Sequence, residues 1–99
     1  MLLPTPRDRM LDQAGRPYFL WDCDMTLAEF ERRLHSDDSE SRAYLVGKLM
    51  RQAKPDDVFT FVSLRDIVAM WPQLQRYLGR ERAFWRWLLS QWGFDVEAA

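Results

Sequence analysis

"YFLWDCDMTLAEF", residues 18–30, decides how the rest of the chain is read. An apolar run, Tyr18-Phe19-Leu20-Trp21, gives way to Asp22-Cys23-Asp24 and then to Met25-Thr26-Leu27. Two readings compete. If the apolar run is a buried strand, the two carboxylates stand together at its end. If Thr26 opens a helix, the same letters are architecture. Thr26 is then the cap, Glu29 completes a T-x-x-E capping box, and Leu27, Phe30 and Leu34 form a narrow apolar stripe. Asp24 falls near the positive end of that helix, which suits a carboxylate, and Asp22 is left to accept hydrogen bonds from backbone or from an arginine. Four residues are too few to assign "YFLW" to a strand or to an extended plug on helices.

Downstream the pattern is helical. "HSDDSES" interrupts the first helix, and Asp37 with Glu40 offers a cap for the next. That second helix, about 39–53, places Leu45, Val46, Leu49, Met50 and Ala53 on one face and Tyr44, Lys48, Arg51 and Gln52 on the other. Pro55 ends the run or opens the next element. "DDVFTFVS" reads as a strand or as one helical turn; Asp56 as a cap and the helical flanks favour the helix. Ser63 with Asp66 repeats the cap signal, and Leu64, Ile67, Val68 and Trp71 follow at helical spacing. Pro72 disfavours helix at Trp71. "QLQRYLG" is a short turn closed by Gly79. The last helix runs from about Arg80 to Trp92, with Gly93 as the residue beyond its cap.

On that last helix Phe84, Trp85, Leu88, Leu89 and Trp92 span an apolar arc of about 140° at 100° per residue. Arg82, Arg86 and Ser90 lie opposite. Trp87 falls off the arc, between the arginines and Gln91. The other tryptophans, Trp21, Trp71, Trp85 and Trp92, stand where a core would use them. An off-stripe Trp among arginines is covered by guanidinium stacking or anchors a partner.

Upstream, residues 1–17 hold Pro4, Pro6, Gly15 and Pro17 and read as a loose, extended arm. The 99 residues suffice for one domain, and a 47% hydrophobic composition with five Trp and six Phe fills its core. Cys23 is the sole cysteine, so no internal disulfide forms and a reducing, cytoplasmic setting is expected. No segment approaches the ~20 apolar residues that cross a bilayer, so no membrane partner is expected. The net charge of −1 hides an acidic stretch over 20–40 and an Arg-rich one over 64–92.

The letters D-x-D-x-T-L at Asp22–Leu27 resemble the haloacid-dehalogenase-like phosphatases, whose first carboxylate is the nucleophile and whose second is the acid/base. That resemblance implies further parts: a second strand ending in Ser or Thr, a downstream Lys, and a later acidic pair for Mg²⁺. Ser63 after "VFTFV" imitates the first of these. The two lysines, Lys48 and Lys54, both precede it, and no adjacent acidic pair follows. Each β-α-β unit also takes about 30 residues, which this chain cannot spare. His35, the sole histidine, has no Cys or His at metal-site spacing. The expectation is no catalytic residue, no metal and no cofactor.

A second resemblance covers about residues 16–92. "RPYFLWDCDMTLAEFERRLHSDDSESRAYLVGKLMRQAKPDDVFTFVSLRDIVAMWP" is similar to a group of short bacterial proteins that open with P-[YF]-F-L-W-D-x-D and continue in helical segments. Its most specific part is Pro17 through Asp24; Cys23 departs from the aromatic or apolar residue common there. Similar proteins are often encoded beside nucleotidyltransferase toxins of the AbiEii type. The resemblance implies an antitoxin-like or accessory role and transfers no catalytic residue.

The sequence therefore predicts a mostly α fold. Five or six short helices form one domain over 18–93, preceded by a flexible arm at 1–17 and followed by a tail at 94–99. The predicted function is a non-enzymatic protein-interaction module, with Trp87, Arg80, Arg82 and Arg86 as partner contacts. Trp21, Asp22, Asp24, Thr26 and Glu29 form its structural motif. A DNA-binding regulator using the Arg-rich half is the alternative, and a phosphatase the remote one. Nothing in the sequence sets an oligomeric state.

Overall fold

The computed structural model describes residues 3–96. Six α-helices follow in chain order: α1 (Arg7–Met10), α2 (Leu27–Leu34), α3 (Ser39–Gln52), α4 (Pro55–Phe61), α5 (Leu64–Leu74) and α6 (Glu81–Gln91). Two 3₁₀ turns, Tyr18–Leu20 and Gln75–Tyr77, join them. Among the described residues no strand forms, and Leu11 and Pro17 make one isolated antiparallel bridge. The all-α single domain is the expected class. Its Cα radius of gyration, 13.4 Å, matches about 13 Å for a folded chain of this size.

α3 is the axis of the fold, touching α2, α4, α5 and both 3₁₀ turns. Its stripe of Leu45, Val46, Leu49 and Met50 is buried as the periodicity predicts. The cap is Asp38, one residue after the expected Asp37, and its Oδ1 accepts from the backbone N–H of Glu40 and Ser41 at 3.1 and 3.2 Å. α2 starts as read, with Thr26 Oγ1 accepting from Glu29 N–H at 3.2 Å. The reciprocal half of the box is not made, because the Glu29 carboxylate turns down the helix to Arg33 at 2.8 Å. Instead the Gly15 carbonyl accepts from Leu27 N–H at 2.9 Å, covering one of the donors that a helix start leaves open.

"DDVFTFVS" is helical, as favoured, but Asp56 is not its cap. Pro55 is the first helical residue, where its missing N–H costs nothing, and Lys54 precedes it without a side-chain acceptor. Ser63 caps α5 as expected, accepting from Asp66 N–H at 3.0 Å. α5 then runs through Trp71-Pro72 to Leu74, past the expected stop. Burial of Trp71 and Leu74 offsets the hydrogen bond that Pro72 cannot donate, and beyond Leu74 the chain tightens into the 3₁₀ turn. Gly47 sits where that turn crosses α3: a Cβ built there lies 2.7 Å from Tyr77 Cβ. α6 ends in the double bond of a Schellman motif, Phe94 N–H to Leu89 carbonyl and Gly93 N–H to Ser90 carbonyl, with Gly93 at φ +90°.

"YFLW" is neither strand nor extended plug but a 3₁₀ turn that buries Phe19 and Leu20. Phe19, Phe30 and Phe61 meet edge-to-face with centroids 5.4–5.7 Å apart, the arrangement their ring quadrupoles favour. Residues 3–17, read as a loose arm, carry α1, bury Met10 and hydrogen-bond to α4. Of the expected tail, residues 97–99 lie outside the described residues, as do residues 1 and 2 of the arm. Trp85 closes the core from the other end. Its buried indole N–H donates to the Met50 carbonyl at 2.9 Å, one of the acceptors left open at the end of α3.

Candidate functional site

The acidic motif resolves into two carboxylates with different partners. Asp22 follows the first 3₁₀ turn and points at α3, where its Oδ2 accepts from Lys48 Nζ at 2.7 Å and from Gln52 Nε2 at 3.3 Å. Lys48 was assigned to the solvent face of α3, yet its side chain is only 6% exposed. A lysine this far from water requires a counter-ion, and Asp22 supplies it; this lysine stands where an arginine was expected, and a backbone N–H adds a smaller contribution. The Lys48 hydrogen bond holds the Asp22 carboxyl below the usual carboxylate range. Asp24 turns away. Its side chain is 95% exposed and pairs with Arg16 Nη1 at 3.2 Å. Among the described residues no group of three acidic, His or Cys side chains is placed to share a metal ion.

A second carboxylate cluster was not foreseen. Asp57 is fully buried and accepts from Thr5 N–H at 2.6 Å, Thr5 Oγ1 at 2.8 Å and Tyr18 Oη at 2.5 Å. Tyr18 Oη in turn accepts from Lys54 N–H at 2.9 Å. Burial alone would raise the Asp57 pKa, but the bonds from Tyr18 and Thr5 outweigh it and the net shift is downward. Burial, then the bond to Asp57, pushes Tyr18 up to about 12. Every acceptor here is spent on holding the N-terminal segment to α4, with Asp56 adding a bond from Leu3 N–H at 2.9 Å.

The surface that remains is on α6. Only Trp85 and Leu89 of this helix are buried. Phe84, Trp87 and Trp92 are 37%, 56% and 43% exposed. Trp87 is therefore outside the core as read, whereas Trp92 is only half-covered. Phe84 lies beside Trp87, ring centroids 6.3 Å apart, and Trp92 packs edge-on against Phe59 at 5.5 Å. At 100° per residue, Trp87, Phe84, Leu88 and Trp92 fall in angular sequence along one flank of the buried face. Arg80, Arg82 and Arg86 line one shallow pocket with Gly79 and Ala83, and Arg86 lines a wider one with Trp87, Ser90, Phe94 and Asp95. The four residues expected to contact a partner thus share a continuous surface, with Arg86 as its hinge point. Trp21, expected in the core, is 74% exposed on the far side of the sequence motif. In a 3₁₀ turn successive side chains step by about 120°, so the residue after buried Phe19 and Leu20 points outward.

Sequence reasoning missed Phe84 and Trp92 as surface aromatics. The apolar arc shows which side chains are available for burial but not how much of it a neighbouring face covers. Among the described residues no helix is long and apolar enough to cross a membrane. Comparison with family models, with curated proteins and with solved structures returned no match.

Proposed function

We propose that the chain is a non-enzymatic interaction module whose α6 surface docks a protein partner. The reading includes the antitoxin-like or accessory role implied by the resemblance to proteins encoded beside nucleotidyltransferase toxins. The observation that carries it is Trp87, 56% exposed and flanked by Phe84 and the arginine pocket. Leaving Phe84, Trp87 and Trp92 37–56% exposed along one helix and its C-cap forfeits roughly half of the about 1.5–3 kcal/mol that full burial of each gives, a loss that docking recovers. Trp and Arg are the residue types that dominate binding hot spots. The matching partner face is apolar at its centre and acidic at its rim. The acidic motif supports the same reading, since Asp22 is engaged by Lys48 as a brace between the first 3₁₀ turn and α3.

Co-expression with the product of the neighbouring gene tests it. The two chains are expected to co-elute at micromolar concentration, and Trp87→Ala to weaken the complex at least tenfold without changing the melting temperature. Absence of co-elution refutes the reading. The arginine pocket favours nucleic acid as the second reading; that would show as a steep loss of affinity with salt, one counterion released per phosphate neutralised.

A further inference from the structure

A cavity of about 370 Å³ opens among the end of α2, the first half of α3, the end of α4 and the first two turns of α5, and no residue of α6 lines it. Leu34, Val46, Phe61 and Met70 form its apolar walls. Arg42 and His35 line it from one side of the sequence and Asp66 from the other. Arg42 is half-buried, and its Nε is fully shielded with no hydrogen-bond partner among the described residues. No carboxylate of the described residues reaches its guanidinium within ion-pair distance, although Asp66 shares the cavity. A buried donor on a charged group is costly to leave unmade. Nε itself is closed off from any occupant, so the cavity is faced by the remainder of the guanidinium, for which no described residue is a partner; at about 30 Å³ per water the space equals roughly a dozen, more than one bridging water needs. Mostly apolar walls with a few convergent polar groups are the usual make-up of a small-molecule site.

We propose that this cavity binds a monocarboxylate bearing an apolar tail, its oxygens taken by Arg42 and its tail lying against Leu34, Val46, Phe61 and Met70. Guanidinium presents N–H donors in a planar fork that fits a carboxylate. His35 supplies a further ring donor at the same wall. Asp66 selects against a second negative charge, so a phosphate dianion is disfavoured where a single carboxylate is accepted. The site is independent of the partner surface on α6, and neither proposal needs the other.

The test is an NMR titration of the ¹⁵N-labelled full chain with octanoate and with 3-phenylpropanoate, using octanamide and inorganic phosphate as controls. Both carboxylates are expected to give saturable shifts confined to residues around Leu34, Arg42, Phe61 and Met70. Octanamide and phosphate are expected to bind at least tenfold more weakly. Arg42→Gln, which keeps a polar, helix-compatible side chain, is expected to weaken octanoate at least tenfold. Ala69→Trp, at an exposed position on the rim, fills the mouth and is expected to do the same, which keeps the test decisive if the Arg42 variant folds poorly. The proposal is overturned if neither carboxylate gives saturable shifts at the cavity. It is equally overturned if octanamide or phosphate binds as well as octanoate, or if Ala69→Trp or a folded Arg42→Gln leaves the affinity unchanged.

Discussion

Asp22→Asn separates a brace from a nucleophile by the sign of its effect on stability. In the parent protein Lys48 Nζ lies 2.7 Å from Asp22 Oδ2, with side-chain exposures of 6% and 31%. The variant leaves a nearly buried ammonium facing a neutral amide. Removing one member of a buried pair costs about 3–5 kcal/mol. Asp22 still reaches water over part of its surface, and that screening brings the expected loss to about 1–3 kcal/mol. In a chain of this size each kcal/mol moves the melting temperature by about 4–8 °C, so the variant should melt roughly 5–20 °C lower at neutral pH. The measurement is a thermal melt followed by circular dichroism, repeated with Lys48→Met and with the double variant. The double variant should recover part of the loss, because it restores a matched, uncharged pair. pH gives an internal check. The folded-state pKa of Asp22 is lowered, so its contribution is present above the unfolded value and is lost as pH falls through the folded one. The gap between parent and Asp22→Asn should therefore close below about pH 4. Asp24→Asn, at a carboxylate 95% exposed, should leave the melt unchanged. If Asp22→Asn melts at or above the parent temperature, the bracing argument is wrong. Carboxylates held for chemistry tend to stabilise when neutralised, and the phosphatase reading would then regain its standing.

Gly47→Ala should destabilise despite the better helix former, since the new Cβ meets Tyr77 Cβ at 2.7 Å. A propensity gain of about 1 kcal/mol stands against an overpacking cost of about 1–3 kcal/mol, and a urea melt showing a more stable variant would refute the close crossing of α3 by the second 3₁₀ turn. Tyr18 gives an alkaline limit. Its pKa is raised to about 12 from 10.0, so its contribution is whole below the unfolded value and drains away as pH rises from 10 to 12. Screening at this part-exposed hydroxyl holds the loss to about 1–2 kcal/mol. Urea midpoints measured from pH 9 to 12 should fall in the parent and stay flat in Tyr18→Phe apart from losses common to both.

Where a signal was local, the sequence carried it. Thr26 and Ser63 as caps, Gly93 as the left-handed residue and the apolar stripe of α3 each depend on neighbours within one turn. The cap of α3 was displaced by one residue because "SDDS" offers two equivalent acceptors and only the backbone at Ser39 chooses between them. The misplaced residues are those whose surroundings come from far along the chain. Lys48 looks solvated until Asp22, 26 positions earlier, is folded against it. Asp56 looks like a cap residue until Leu3 arrives to use its oxygen, and Asp57 gives no sign of its clamp until Thr5 does. Of the α6 surface, Trp87 was readable from a wheel; Phe84 and Trp92 were not, because how much of an amphipathic arc gets covered depends on the breadth of what packs against it. Arg42 gave no signal at all, since an arginine without an acceptor is a property of the assembled walls.

The clamp on Asp57 also orders events during synthesis. Thr5 leaves the ribosome 52 residues ahead of its carboxylate partner, which at about 5–20 residues per second is a wait of roughly 3–10 s. Through that interval Phe19 has no Phe61 to pack against, and a nascent-chain chaperone meets an apolar side chain that the finished protein conceals. A segment made 52 residues ahead of its anchor is thus secured late, and translation speed across residues 20–57 governs how long it stays open to aggregation.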